Sequence, residues 1–150
     1  HFIPPLSPPH RFSGVSGNDI PPPLSWGAGA HAAQSWAITF IDTTNGGKHW
    51  VIFDIPATAL SLPEGLGLGF NVPNQGAAKQ RSFGTGNKTY QFFGPCPGGS
   101  NHLYQFKLYA MNVATLPGVT SSSTVAQIET AILANDIAST TLNGNSNAGT

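Results

Sequence analysis

The segment HLYQFKLYAM, residues 102–111, alternates between two sets of side chains along its whole length. The set that begins with His102 continues through Tyr104, Phe106, Leu108 and Ala110. The other set comprises Leu103, Gln105, Lys107, Tyr109 and Met111. A period of two puts alternate residues on opposite faces of a β-strand. We therefore predict a strand over 102–111 that carries the histidine and Tyr104 on the same face.

Two earlier segments also have the composition of strands. SWAITFI, residues 35–41, alternates in the same way and is apolar enough to predict a buried strand. HWVIFDI, residues 49–55, is rich in β-branched and aromatic residues. Between them lies a turn-like stretch over 43–47, in which the pair Asn45 and Gly46 suits a positive φ. The two segments therefore predict an antiparallel hairpin.

The remaining parts of the chain are rich in turn-forming residues. Before residue 34 the density of Pro and Gly excludes a long helix, and the only regular hint is an extended stretch at Ile20–Trp26. We expect residues 1–16 to wrap over the rest of the domain as extended chain. Residues 56–89 contain scattered glycines among polar residues and predict a long, loop-like segment.

One helix is predicted near the C-terminus. Thr124 and Gln127 have the spacing of a capping box in front of VAQIETAILAN, residues 125–135. The Val and Ile residues of this segment recur at helical spacing, so one face of the helix should be buried. Residues 143–150 are expected to be a frayed tail.

The charge balance limits the partners that this chain can attract. Charged residues make up 8% of the chain, against about 25% in an average soluble protein. Lys and Arg number 6 and Asp and Glu number 6, so no basic field attracts nucleic acid or a membrane surface. A bound anion must therefore be held by local groups. A neutral surface also resists association poorly, which makes a homo-oligomer a further expectation.

The cellular location is predicted from the same features. No stretch approaches the roughly 20 apolar residues that span a bilayer. The start at His1 and the charge-poor surface predict a mature exported protein, secreted or periplasmic, with the cytoplasm as the alternative. The single cysteine, Cys96, allows no intrachain disulfide and no thiolate zinc site. Asn87 begins an Asn-Lys-Thr sequon, which matters only in a glycosylating host.

Polar residues stand at the ends of all three predicted strands. Asp42 closes the first strand and His49 opens the second. His102 and Tyr104 open the third, directly after the Gly- and Pro-rich run GPCPGGSN. Because strand ends meet at sheet edges, these side chains converge if the third strand pairs beside the hairpin. Imidazoles and the N–H groups of a Gly-rich turn can bind phosphate or carboxylate oxygens, and a carboxylate can orient a histidine or accept from an ammonium group.

The same residues allow simpler interpretations. Asp42 could cap the hairpin turn, either histidine could bond a backbone carbonyl at the edge of the core, and Tyr104 could simply pack. Together Asp42, His49 and His102 could also form a two-histidine, one-carboxylate metal site. A serine hydrolase is disfavoured because the chain contains no Gly-x-Ser-x-Gly elbow. Cys96 is expected to be a small structural residue of its loop.

Taken in chain order, four segments resemble the phosphatidylethanolamine-binding protein family, also called the Raf-kinase-inhibitor-like family, and in particular its prokaryotic-type members. GNDIPPPLSW at 17–26 is similar to the family's G-x-N-x-S-P-P-L-S-W segment. QSWAITFID at 34–42 is similar to its core strand, which ends in an Asp-Pro-Asp-x-Pro box. KHWVIFDIPAT at 48–58 resembles H-W-V-V-x-N-I-P-A, and GPCPGGSNHLYQFKLYAMN at 94–112 resembles G-P-C-P-P-x-G-x-H-R-Y-x-F-x-L-Y-A-L-D.

The chain departs from the family pattern at several positions. Of the two acids in the box only Asp42 is present, because Thr43 and Thr44 follow it. Leu103 stands in place of the usual Arg after the signature histidine, and Gly98 in place of the second Pro of the loop. The C-terminal helix also lacks the usual closing tyrosine. The ligand chemistry can therefore differ from that of the family even where the fold is the same.

The resemblance implies one mainly β domain over residues 1–150, an antiparallel two-sheet β-sandwich with a short C-terminal helix. It implies a non-enzymatic protein that binds phosphate-bearing or other anionic head groups, with no metal or cofactor. The implied pocket at one end of the large sheet is lined by Asp42, His49, Gly94, Pro95, Cys96, Pro97, His102 and Tyr104. The alternative functions are inhibition of a protease or kinase-type signalling enzyme, and a structural or surface role after loss of ligand binding.

Overall fold

The computed structural model describes residues 24–27, 32–44, 46–63, 65–92 and 102–146. The wrap predicted for 1–16 lies outside these residues. The strands and the helix of the described part, in chain order, are β1 (Leu24–Ser25), β2 (Ser35–Asp42), β3 (Gly47–Pro56), β4 (Ser61–Leu62), β5 (Lys79–Ser82), β6 (His102–Met111), α1 (Val125–Asn135) and β7 (Asp136–Ser146). A short 3₁₀ turn, Gly86–Lys88, lies between β5 and β6.

The strands form two antiparallel sheets. The large sheet has five strands in the order β5-β3-β2-β6-β7, and β1 pairs with β4 in a separate two-stranded sheet. β2 forms the predicted hairpin with β3 and pairs with β6 on its other side. The prediction of a mainly β fold with two antiparallel sheets and one short helix is therefore confirmed.

The large sheet separates two apolar cores. We call one side the Phe40 face; its fully buried members on the central strands are Trp36, Ile38, Phe40, Trp50, Ile52, Ile55, Phe106, Leu108 and Ala110. We call the other side the helix face; its sheet residues are Ala37, Val51, Phe53, Tyr109 and Met111, which pack against α1. The alternation read from the sequence thus assigns the core side chains of Trp36–Phe40 on β2 and of Phe106–Met111 on β6 to the correct sides of the sheet.

Helix α1 begins where the sequence predicts. The Thr124 hydroxyl accepts a hydrogen bond from the backbone N–H of Gln127 at 3.1 Å, and the Gln127 side chain accepts one from the Thr124 N–H at 2.9 Å. This capping box satisfies two of the N–H groups that every helix start leaves without an internal partner. Val125, Ile128 and Ile132 are buried on the helix face.

Two parts of the chain differ from the sequence-based expectation. β7 follows α1 directly and runs to Ser146, so residues 143–146 form part of a strand and not of a frayed tail. β7 pairs with the edge of β6 that β2 does not occupy. The pairing extends from Asp136 opposite Met111 to Ser146 opposite His102. The segment 56–89 likewise contains the strands β4 and β5 and is not wholly a loop.

The Gln80 side chain holds the segment around 65–71 in place through hydrogen bonds to its backbone. Its side chain is fully buried on β5 and accepts a hydrogen bond from the Trp50 indole N–H at 3.0 Å. Its amide nitrogen donates to the carbonyls of Gly67 and Gly69 at 3.1 and 3.0 Å. Because a buried amide without partners is costly, these bonds fix the loop over the Phe40 face.

Tyr109 on the helix face should make stability depend on pH in the alkaline range. Burial raises the pKa of its phenol to about 12, and the negative charges of Glu129 and Asp136 add to the increase. The folded protein therefore keeps this proton at pH values where the unfolded chain, with a phenol pKa near 10, loses it. The stabilisation is fully present below about pH 10 and is lost as the pH rises to about 12.

We expect the free energy of unfolding to fall by about 2 to 3 kcal/mol over this interval because of Tyr109. Urea denaturation at closely spaced pH values measures the fall. The Tyr109→Phe variant serves as the control, because other groups titrate in the same range in both proteins. Equal pH dependence in the two proteins would contradict the assignment.

Candidate functional site

Asp42 lies at the end of β2, where three strands meet. Its Cα pairs with Gly47 on β3 and with Tyr104 on β6. The carboxylate is 1% exposed, and its Oδ1 accepts a hydrogen bond from the backbone N–H of Thr44 at 2.9 Å. The Asp42 carbonyl accepts from the N–H of Gly46 at 2.8 Å. Asp42 therefore caps the hairpin turn, and it does so at the position predicted for the site.

His49 occupies an irregularity in the hairpin. Phe40 pairs with Trp50 and Ile41 pairs with Lys48, so the register between β2 and β3 shifts by one residue at His49. An extra residue of this kind forms a β-bulge, which redirects side chains next to it. The His49 ring lies against Phe40, with the ring centroids 5.8 Å apart and the planes at 84°. The bulge thus places the imidazole on the Phe40 face, the same face as Trp50.

Aromatic rings surround the His49 imidazole. Phe83, directly after β5, stacks on it with centroids 4.8 Å apart and planes at 20°. Phe40 in turn packs on Phe92 and Phe106, at centroid distances of 5.0 and 4.4 Å. His49 is only 5% exposed as a result. The imidazole is therefore held in one orientation by rings on two sides.

The third strand brings the other predicted site positions to the same end of the sheet. Asp42 pairs with Tyr104, and His102, two residues before Tyr104 at the start of β6, lies opposite Ser146. By the alternation of β6, positions 102 and 104 lie on the same face as Phe106. Their side chains, and the loop residues Gly94, Pro95, Cys96 and Pro97, lie outside the described part. The backbone thus brings Asp42, His49, His102 and Tyr104 to one end of the sheet.

Phe83 is a residue of this site region that the sequence does not indicate. It follows the polar strand KQRS and precedes a glycine, so no periodic pattern identifies it. Its contact with His49 arises because its N–H donates to the His49 carbonyl at 3.2 Å, which continues the pairing of β5 with β3.

A concave region lies elsewhere on the fold. It has a volume of ≈ 440 Å³ and is lined by Pro117–Thr120, Ser122 and Ser123 of the loop before α1 and by Gln127 and Ala131 of α1. Arg81 supports this loop by donating to the carbonyls of Ser121 and Ser123, at 3.2 and 2.9 Å. The lining is uncharged and contains none of the residues at the Asp42 end of the sheet.

Two further properties concern only the residues described here. No group of three His, Cys, Asp or Glu side chains in this part of the chain is arranged to hold a metal ion. The metal site of Asp42, His49 and His102 considered from the sequence includes His102, whose side chain is not among those that the structure describes. That metal site therefore stays a prediction. No helix within the described ranges is long and apolar enough to cross a membrane.

Comparison with known proteins links this chain to one family. The model for the family described as phosphatidylethanolamine-binding protein matches residues 3–147. YbcL, a UPF0098 protein of Escherichia coli K12, is 34% identical over 143 residues, which cover 89% of this chain and 75% of YbcL. A UPF0098 protein of Methanothermobacter thermautotrophicus is 34% identical over 132 residues, or 83% of each chain.

A mycobacterial relative and a solved structure extend the comparison. LppC of Mycobacterium tuberculosis, named as a candidate lipoprotein, is 34% identical over 130 residues, which cover 79% of this chain and 59% of LppC. The crystal structure of E. coli YbcL, described as a new member of the mammalian PEBP family, matches with a TM-score of 0.75 and 25% identity. The match covers 98% of this chain and 99% of that one.

Proposed function

We propose, since this chain belongs to the phosphatidylethanolamine-binding protein family, that it binds small phosphate-bearing or related anions at the Asp42 end of the large sheet. The observation that carries the proposal is the bulge at His49, which sets an imidazole on the Phe40 face beside the strand end that carries Asp42. The pairing of Asp42 with Tyr104 brings a third polar position to the same end.

The proposed roles follow from hydrogen-bonding chemistry. His49 and His102 would donate hydrogen bonds or charge to the anion, and Tyr104 would add a neutral donor. The N–H groups of the loop Gly94–Pro97 would complete an anion nest. A carboxylate repels an anion, so Asp42 would orient a histidine or accept from an ammonium group on the ligand.

We further propose that the ligand is bound and released unchanged. The roles above require only hydrogen bonds and charge, and none of them forms or breaks a covalent bond. Phosphorus NMR of phosphoethanolamine incubated with the protein tests this point. The appearance of free phosphate would show turnover and would contradict the proposal.

The binding proposal predicts that phosphoethanolamine stabilises the protein and that His49→Ala abolishes the effect. A ligand at about ten times its Kd adds about 1.4 kcal/mol, which corresponds to a rise in Tm of about 3 to 5 °C for a domain of this size. Calorimetric melting curves with phosphoethanolamine and with inorganic phosphate, at millimolar concentrations, measure the shift. His102→Ala should have the same effect as His49→Ala.

A matched control separates site chemistry from general loss of positive charge. Lys107 lies on β6, with its ammonium group 5.4 Å from the ring of Tyr109 on the helix face. The Lys107→Met variant should therefore keep the full ligand-induced shift. If wild type shows no shift with either ligand, the binding proposal fails, and the inhibitor or structural alternative gains support.

We also propose that the protein is exported from the cytoplasm. The support is its charge-poor composition, with 8% charged residues, together with similarity to LppC, which is named as a candidate lipoprotein. Fractionation of the source cells followed by immunoblotting tests this proposal. Recovery of the protein only with the cytoplasmic fraction would refute it.

A further inference from the structure

Phe83 places an apolar surface directly beside the candidate anion site. Its ring stacks on the His49 imidazole, with centroids 4.8 Å apart and planes at 20°. Its backbone N–H donates to the His49 carbonyl at 3.2 Å. Phe83 thus contacts His49 through both its side chain and its backbone.

The backbone on both sides of Phe83 is held in place. The buried Ser82 hydroxyl donates to the Lys88 carbonyl at 2.6 Å and accepts from the Gly84 N–H at 3.0 Å. The Ser82 N–H donates to the Thr89 carbonyl at 2.8 Å. These bonds close the segment after β5 into a compact loop, so the position of the Phe83 ring is set by the fold.

Phe83 is nevertheless 49% exposed, although His49 covers one side of its ring. The other large apolar side chains exposed in the described part are aliphatic, namely Leu60, Leu68, Leu133 and Ile137. An exposed aromatic ring that is rigidly held against a polar group can bury an apolar part of a ligand whose polar part reaches that group.

We propose that Phe83 belongs to the binding site and favours anions that carry an aromatic or other apolar group next to the charged one. The imidazole side of the site would hold the anionic oxygens, and the Phe83 ring would cover the apolar group. This inference rests on the proposed function of the same site. It predicts that an aromatic phosphomonoester binds more tightly than inorganic phosphate.

The test compares the affinities of phenyl phosphate, phosphoethanolamine and inorganic phosphate by calorimetry. In wild type, phenyl phosphate should bind roughly two- to tenfold more tightly than inorganic phosphate, which is the range expected from one aromatic contact. Phe83→Ser should abolish this preference for phenyl phosphate over inorganic phosphate, and Phe83→Tyr, which keeps the ring, should retain it. Leu133→Ser removes an exposed apolar side chain, 55% exposed, from the helix side of the sheet and should leave the ratio unchanged.

The ratio of the affinities for phenyl phosphate and inorganic phosphate distinguishes ligand selection by Phe83 from a merely structural role of this residue. If Phe83 only held His49 in place, Phe83→Ser would weaken all three ligands by the same factor, and that result would overturn the inference. The inference also fails if wild type binds phenyl phosphate and inorganic phosphate equally. If none of the three ligands binds wild type, the proposed function itself is wrong, and the inference falls with it.

Discussion

Phe40→Ala is expected to lower the free energy of unfolding by about 3 to 5 kcal/mol and to release the His49 ring. Phe40 is fully buried at the centre of the aromatic cluster, with centroids 4.4 Å from Phe106 and 5.0 Å from Phe92. Removing its ring leaves a cavity that these neighbours can fill only in part. The loss is a large part of the 5 to 15 kcal/mol that typically stabilises a domain.

The effect on the site is measured separately from the effect on stability. Phe53 lies on the opposite face of the sheet, is 1% exposed, and belongs to the core under α1. Phe53→Ala should therefore cost a similar free energy of unfolding without disturbing His49. Urea denaturation gives both stabilities, and the NMR shifts of the His49 ring protons report its contact with Phe40. Equal changes of those shifts in the two variants would contradict the proposed support of His49 by Phe40.

Asp54→Ala is expected to cost about 3 to 5 kcal/mol because this carboxylate joins three parts of the fold. Its Oδ2 accepts from the Lys79 ammonium group on β5 at 2.9 Å, and its Oδ1 accepts from the Leu116 N–H at 2.9 Å. The Asp54 side chain is 1% exposed and its bond to the Leu116 N–H is buried, so water cannot readily replace that bond, whereas the Lys79 side chain is 25% exposed. Lys79 also donates to the Ala77 carbonyl, which partly compensates its charge in the variant.

The backbone at Asp54 adds to this cost. The φ of Asp54 is +56°, in the left-handed region. Asp54 is also an extra residue on β3, at the point where the register between β2 and β3 shifts between Trp36 and Ile38. Alanine is disfavoured there by about 1 kcal/mol, whereas Asp and Asn tolerate the region. The segment H-W-V-V-x-N-I-P-A of the family carries Asn at this position. The conformation therefore accounts for both residue types.

Asp54→Asn is the matched control for the alanine variant. The asparagine oxygen can still accept from the Leu116 N–H, and its backbone tolerates the positive φ, so only the ion pair with Lys79 is lost. We expect this variant to lose about 1 to 2 kcal/mol, clearly less than the alanine variant. Urea denaturation of both variants decides the point. If the two are equally destabilised, the ion pair alone carries the effect, and the roles of Leu116 and the backbone are wrong.

Much of the fold follows from local patterns in the sequence. The strands around Phe40 and Phe106, and the faces on which those residues lie, follow from period-two alternation, because adjacent residues of a strand must point to opposite sides. Helix α1 follows from the Thr124 capping box, which acts within one turn. The turn after Asp42 is likewise local. The structure gives Gly46 a φ of +79°, in keeping with the expectation for the Asn-Gly pair.

The strand β7 could not be predicted in this way. Its sequence, DIASTTLNGNS, contains an Asn-Gly pair and little apolar alternation, which favours a turn or a tail. It forms a strand because β6 leaves an edge whose backbone groups need partners over its full length. The strands within 56–89 were missed for a related reason, since β5 is the short polar segment KQRS and depends on β3 for its pairing.

The sequence by itself determined which residues could form the site, because Asp42, His49, His102 and Tyr104 stand at the ends of strong strand patterns. Only the tertiary structure decided how they are arranged. The register between β2 and β3 leaves His49 in a bulge and turns its ring onto Phe40. The pairing of β5 with β3 brings Phe83 onto the other side of that ring. Both contacts depend on hydrogen bonds between strands distant in sequence, and no local pattern encodes where such pairing shifts by one residue.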